Sequence, residues 1–82
     1  MNTPFSLLVD IIASNRPIII FTRNNKKLFG YVRAFDKHMN LVLESTRELW
    51  SVYGKKNDIY YHERYISKMV LRGDSIVIFL PA

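Results

Sequence analysis

Apolar residues recur along this chain first with a helical period and then with the shorter period of extended strands. Phe5, Leu7, Leu8, Ile11 and Ile12 fall on one face of a helix. Thr3 before Pro4 reads as an N-cap followed by a proline at the first helical position, where its missing N–H and fixed φ do no harm. Asn15 and Pro17 end the segment, because a proline restricts the residue before it and cannot continue the ladder. The helix expected over about residues 4–15 has about three turns, too few to be stable alone, so it must lie against something.

Beyond Pro17 the helical period does not return. "PIIIFTR" is β-branched and bounded, as a buried strand is, and "NNKK" is a turn in which asparagine tolerates positive φ. "LFGYVRAF" predicts a second strand with Gly30 inside it, where the missing side chain permits a sharp bend or the close approach of another backbone. "LVLESTRELW" predicts a third strand, bent near Ser45, and "RYISKMVL" a fourth, with "SVYGKKNDIYYHE" as the loop between them. After Arg72-Gly73-Asp74, "SIVIFL" forms a fifth. One short helix and five strands at this spacing predict a mostly β fold, a small, strongly bent antiparallel barrel under the helix. The last strand is apolar on both faces. Left as a bare edge it would invite aggregation, so it either closes its own barrel or pairs with another chain.

Composition narrows the picture. Eighty-two residues suit one domain, residues 1–82, of a size often helped by disulfides, metals or partner subunits. No cysteine is present, which removes disulfides and the cysteine-based zinc sets. No stretch approaches a membrane span, and the start of the chain lacks a signal-peptide pattern, so the expectation is an intracellular soluble domain. Twelve Lys and Arg against seven Asp and Glu leave a net charge of +5, which favours polyanionic partners through attraction and counterion release.

Candidate chemistry is sparse. The only histidines are His38 and His62. Asp36 and His38 have no serine near them in sequence to activate, and His62-Glu63 falls short of a metal-ligand set, so catalysis is not expected. Recognition fits better. A barrel can bring the "DKHMN" and "RGD" loops to one end, uniting Asp36, His38, Asn40 and Arg72. Asn40 offers a donor and an acceptor to a base edge, while the His38 ring and the Arg72 guanidinium suit its two faces. Asp36 repels phosphate and is better suited to fixing the loop. The bland alternative stays open: Asp and Asn are ordinary turn residues, and Arg-Gly-Asp is an ordinary strand-to-strand turn. Tyr53, Tyr60, Tyr61 and Tyr65 either stack on bases or pack against the adjacent strand.

The short helix, "FGYVRAFDKHMNLVLE" and "YISKMVLRGDSIVIFL" resemble the two motifs of the Sm and Sm-like RNA-binding proteins. The first motif (about residues 17–50) is carried by Gly30, Asp36 and Asn40, the second (about 64–80) by Leu71-Arg72-Gly73. "RNNKKL" and "RYISKM" are most similar to the spliceosomal branch of that family. The resemblance implies the Sm fold, an SH3-like bent barrel, joined through its fourth and fifth strands into a seven-membered ring. It implies RNA contacts from His38, Asn40, Arg72 and Gly73, a pocket shaped by Asp36 and Asp74, and U-rich small nuclear RNA and other Sm proteins as partners. The subunit interface would draw on Tyr65, Ile66, Met69 and Val70 with Ile76, Val77, Ile78 and Phe79. No catalytic residue, metal, cofactor, membrane or small-molecule substrate is implied. The expected role is pre-mRNA splicing, with assembly in the cytoplasm and action in the nucleus. A homomeric Sm-like RNA-binding ring and a protein-interaction scaffold without RNA remain as alternatives.

Overall fold

Thr3 caps the first helix reciprocally: its hydroxyl accepts from the Ser6 N–H at 3.1 Å, and its own N–H donates to the Ser6 hydroxyl at 2.9 Å. In the computed structural model, which describes residues 3–82, this helix (α1) spans Pro4–Ala13. It stops two residues before the expected limit because Asn15 turns into the left-handed region at φ 54°. Leu8 and Ile11 are its buried residues, and they lie on the sheet as the helical period requires.

Five strands follow: β1 (Ile18–Thr22), β2 (Lys27–Phe35), β3 (Leu41–Tyr53), β4 (Ile59–Leu71) and β5 (Ile76–Pro81), with a short 3-10 turn at Gly73–Ser75. They form one antiparallel sheet in the order β4-β3-β2-β1-β5. The fold class is therefore the expected one, a helix on a bent five-stranded sheet. The barrel does not seal itself, however. β5 pairs on one side with β1, β4 pairs on one side with β3, and among the described residues both outer edges are left unpaired.

The bend has a visible cause. Opposite Gly30, β3 carries one residue more than β2, so the register slips between Phe29/Tyr31, and Ser45 adopts φ 50° to absorb the extra residue. A side chain at Gly30 would collide with the Thr46 hydroxyl and sit 3.0 Å from its Cα. The glycine thus permits close approach of the bulged strand, as its place in the sequence suggested.

One expectation fails. Residues 51–63 are not a long loop: β3 and β4 continue through most of them, pairing Trp50 with His62, Val52 with Tyr60 and Tyr53 with Ile59. Only Gly54 to Asp58 turn, closed by the Gly54 N–H on the Asp58 carbonyl at 2.7 Å. Polar residues and glycine suggested a loop, but paired tyrosines and β-branched residues sustain the ladder on either side. The resulting arm contributes to a longest dimension of 48 Å.

The core comprises Leu8, Ile11, Ile18, Ile20, Leu28, Val32, Leu41, Leu43 and Leu71, one layer between α1 and the concave face of the sheet. Burial of each such side chain is worth about 1.5–3 kcal/mol before ordering costs, so this layer is the main source of stability. Glu48 is the anomaly, a carboxylate with 7 % of its side chain exposed at the root of the arm. Lys26 Nζ lies 3.7 Å from it on one side and Arg64 Nη2 2.9 Å on the other. The Arg64 contact lacks hydrogen-bond alignment, so Oε1 is held by charge alone.

Candidate nucleic-acid interface

The pairing of Leu41 with Leu71 sets the site, because it places the loops before β3 and after β4 side by side. Within the first loop, Asp36 acts as the organiser. Its Oδ1 accepts from the His38 N–H at 2.8 Å and the Asn40 N–H at 3.0 Å, while Oδ2 accepts from Asn40 Nδ2 at 2.9 Å. The Met39 N–H donates to the Asp36 carbonyl and the Asp36 N–H to the Asn40 carbonyl, so the loop closes on itself. The Asn40 side-chain amide, supported by the two backbone N–H groups and the nearby His38, holds the Asp36 carboxyl below its ordinary range against the opposing effect of desolvation, which ranks next after the amide. Met39 adopts φ 63° and sends its side chain toward the core, where it packs with Phe79 and Ile76 as an inward anchor.

Asn40 joins the two loops. Its Oδ1 accepts from the Gly73 N–H at 2.8 Å, across 33 residues of sequence. With the carboxylate on Nδ2 and an N–H on Oδ1, the amide has only one possible orientation. One N–H and one oxygen lone pair of this amide are left over from these two bonds. Gly73 is required by space rather than by conformation: a Cβ there would strike the His38 carbonyl and sit 2.9–3.0 Å from the Met39 carbonyl group.

His38 and Arg72 are both exposed and flank this amide from the two loops. Arg72 Nη2 lies 3.3 Å from Asp74 Oδ2, a surface pair with side chains 79 % and 70 % exposed, weak enough for either to turn to another partner. The structure thus brings Asp36, His38, Asn40, Arg72, Gly73 and Asp74 to one end of the sheet. The arrangement suits a flat heterocycle, with the His38 ring and the Arg72 guanidinium for its faces and the Asn40 amide for its edge. Among the described residues no group of three or more His, Asp and Glu side chains converges to hold a metal ion.

The expected interface residues divide by exposure. Tyr65 and Val70 of β4 and Val77 and Ile78 of β5 are at least half exposed, beside their unpaired edges. Ile66, Met69, Ile76 and Phe79 are half-buried, and the last three pack on the core. An apolar cleft of about 590 Å³ lies along β5 between Phe5, Leu7, Met39 and residues 76–79.

Sequence reasoning passed over Arg23, in the β1–β2 turn. Its N–H donates to the Ser75 carbonyl at 2.9 Å and its Nε to the Asp74 carbonyl at 2.7 Å. Nothing local marks it, because the contact spans 51 residues.

Comparison with known proteins agrees with this geometry. The LSM domain model matches residues 12–81. The small nuclear ribonucleoprotein Sm D2 of Saccharomyces cerevisiae is 47% identical over 94% of this chain and 69% of its own length. Among solved structures, the Sm protein of Pyrococcus abyssii in complex with a uridine heptamer superposes with a TM-score of 0.77 at 16% identity, covering 99% of this chain and all of that one. A heptameric archaeal Sm protein superposes with a TM-score of 0.69 at 26% identity, covering 94% of this chain and 97% of that one.

Proposed function

The chain belongs to the LSM-domain family, and from that premise we propose that it is a core subunit of a hetero-oligomeric Sm ring. In this reading the ring binds the U-rich single-stranded RNA of spliceosomal small nuclear ribonucleoproteins and serves pre-mRNA splicing in the nucleus, after assembly in the cytoplasm. The observation that carries the reading is Asn40, whose amide is locked between Asp36 and the Gly73 N–H with one donor and one acceptor left over. Uracil presents adjacent carbonyl and imide N–H groups that match such a pair. His38 stacks on one face of the base and Arg72 covers the other, while Asp36 and Asp74 hold the two loops in shape. The protein works by binding, with no bond made or broken.

Assembly follows from the open sheet. Two different free edges, one on β4 and one on β5, suit head-to-tail pairing, which closes into a ring when the rotation allows it. Such pairing satisfies the polar backbone of both edges and covers Tyr65, Val70, Val77 and Ile78. The heptameric archaeal relative and the ribonucleoprotein relative from yeast support a ring of seven with other Sm proteins as neighbours. A ring also raises affinity, since one weak pocket per subunit gains from the effective concentration of the others.

The test is a titration of the assembled ring with a U-rich oligonucleotide. His38→Ala or Arg72→Ala should weaken binding about tenfold per stacked base while leaving the ring intact by native mass spectrometry. Unchanged affinity in an intact ring would remove this pocket from consideration. The same mass measurement on the chain expressed alone separates a hetero-oligomeric subunit from a homomeric ring.

A further inference from the structure

The β1–β2 turn reaches the base pocket without touching the place where a base would sit. It is closed by its own bonds: the Thr22 N–H donates to the Lys26 carbonyl at 3.0 Å, and the Lys26 N–H donates back to the Thr22 hydroxyl at 3.2 Å. Thr22 is buried and Asn25 adopts φ 62°, so the turn has one shape and presents Arg23 in one place. From there Arg23 grips two consecutive carbonyls of the Gly73–Ser75 turn, Asp74 through Nε and Ser75 through its N–H.

We infer that Arg23 is a positioning residue of the base pocket, holding the Arg72-Gly73 turn in place beside Asn40 through the carbonyls that follow it. This rests on the reading of the pocket given above. The 72–75 turn has few internal ties, chiefly the Ser75 N–H on the Arg72 carbonyl at 3.0 Å. Its position is therefore set from outside, by Asn40 on the Gly73 N–H and by Arg23 on the next two carbonyls. Both clamps must hold for Arg72 to stand opposite His38 when a base arrives. A pocket shaped beforehand binds more tightly because ordering costs are met during folding and not during binding. The contact depends on the geometry of Nε, which a lysine lacks, and not on positive charge.

That distinction makes the inference testable in the assembled ring, with a U-rich oligonucleotide titrated across salt. Arg23→Ala and Arg23→Lys should both lose about tenfold in affinity, as expected for a charged hydrogen bond that no longer fixes the site. The salt dependence of both should match the wild type, because no phosphate contact is removed. Amide hydrogen exchange at residues 73–75 should quicken in both variants, with ring mass unchanged. The inference is overturned if Arg23→Lys keeps wild-type affinity while Arg23→Ala flattens the salt slope by about 0.7, since Arg23 would then contact phosphate directly. It is equally overturned if both variants bind as the wild type does. Failure of the wild-type ring to bind at all would instead sink the pocket itself, and this inference with it.

Discussion

β3 and β4 run side by side for thirteen residues each, yet the two ends of that ladder are built on opposite principles. At the pocket end, loops 36–40 and 72–75 are tied to one another and to the β1–β2 turn by bonds spanning 33 and 51 residues. At the arm end, the turn from Gly54 to Asp58 is closed by a bond within its own hairpin. Tyr53 and Tyr61 are 76% and 81% exposed, and the tyrosines expected to pack against a neighbouring strand mostly face solvent. Cross-strand pairs hold the arm, Trp50 stacked on His62 at 5.5 Å between ring centroids and Arg47 with Glu63 at 2.6 Å, while Lys26 of the β1–β2 turn lies over the Trp50 ring at its root. A two-stranded ribbon without a third partner is marginal in water. One ladder therefore ends in a pair of cross-tied loops and in a lightly held projection. The difference lies in tertiary bonds, since the strands themselves are continuous.

The sharpest way to break this contrast is Gly73→Ala. The added methyl meets the His38 and Met39 backbone of the facing loop, so the two loops must part, and a loss of about 2 kcal/mol in denaturant unfolding is expected together with loss of U-rich binding. An alanine at Gly54 meets only the edge of the exposed Tyr60 ring, which can swing away, and should be far milder.

Next in size is Asp36→Asn, which replaces a carboxylate serving three N–H donors. Affinity for U-rich RNA should fall severalfold as Asn40 loses its fixed direction. The stability advantage of the wild type has a definite pH signature. Because folding lowers the Asp36 pKa, the advantage is fully present above the ordinary carboxylate range and is lost as pH falls through the depressed folded value. Thermal melts of both proteins from neutral to strongly acidic pH should converge only at the acid end. Convergence near neutrality would mean that Asp36 does not organise the loop.

The smallest effect belongs to the arm. Trp50→Ala removes the stack on His62 and should cost about 1 kcal/mol beyond lost packing, felt chiefly as faster proteolysis within residues 51–63. Affinity for a U-rich heptamer should not change. A large loss of affinity would erase the division between the two ends.

Much of this architecture was legible in the chain. The capped helix announces itself through Thr3, Pro4 and the spacing of Leu8 and Ile11, and Gly30 inside an otherwise bulky strand marks the place of the bend. Asp36 and Asn40 were visible as loop residues with complementary tasks. Their bonds were less visible, since Asn40 spends half of its amide on Asp36 and Gly73. Residues 51–63 misled because glycine, lysine and asparagine near the tip outweighed the cross-strand pairing of the residues around them.

Local pattern decides what local forces decide: where a helix starts, which residues alternate across a pleat, which positions turn, and what charge the surface carries. In this chain those determined one helix, five strands, the place of the bend and two polar loops. Tertiary structure alone decided how the expected meeting of the loops is made, through Asn40 on the Gly73 N–H, that Arg23 ties the second loop to the β1–β2 turn, and that β5 does not close onto β4. Each of these depends on register between residues far apart in sequence, and such bonds acquire geometry only once the core has fixed the strands that carry them.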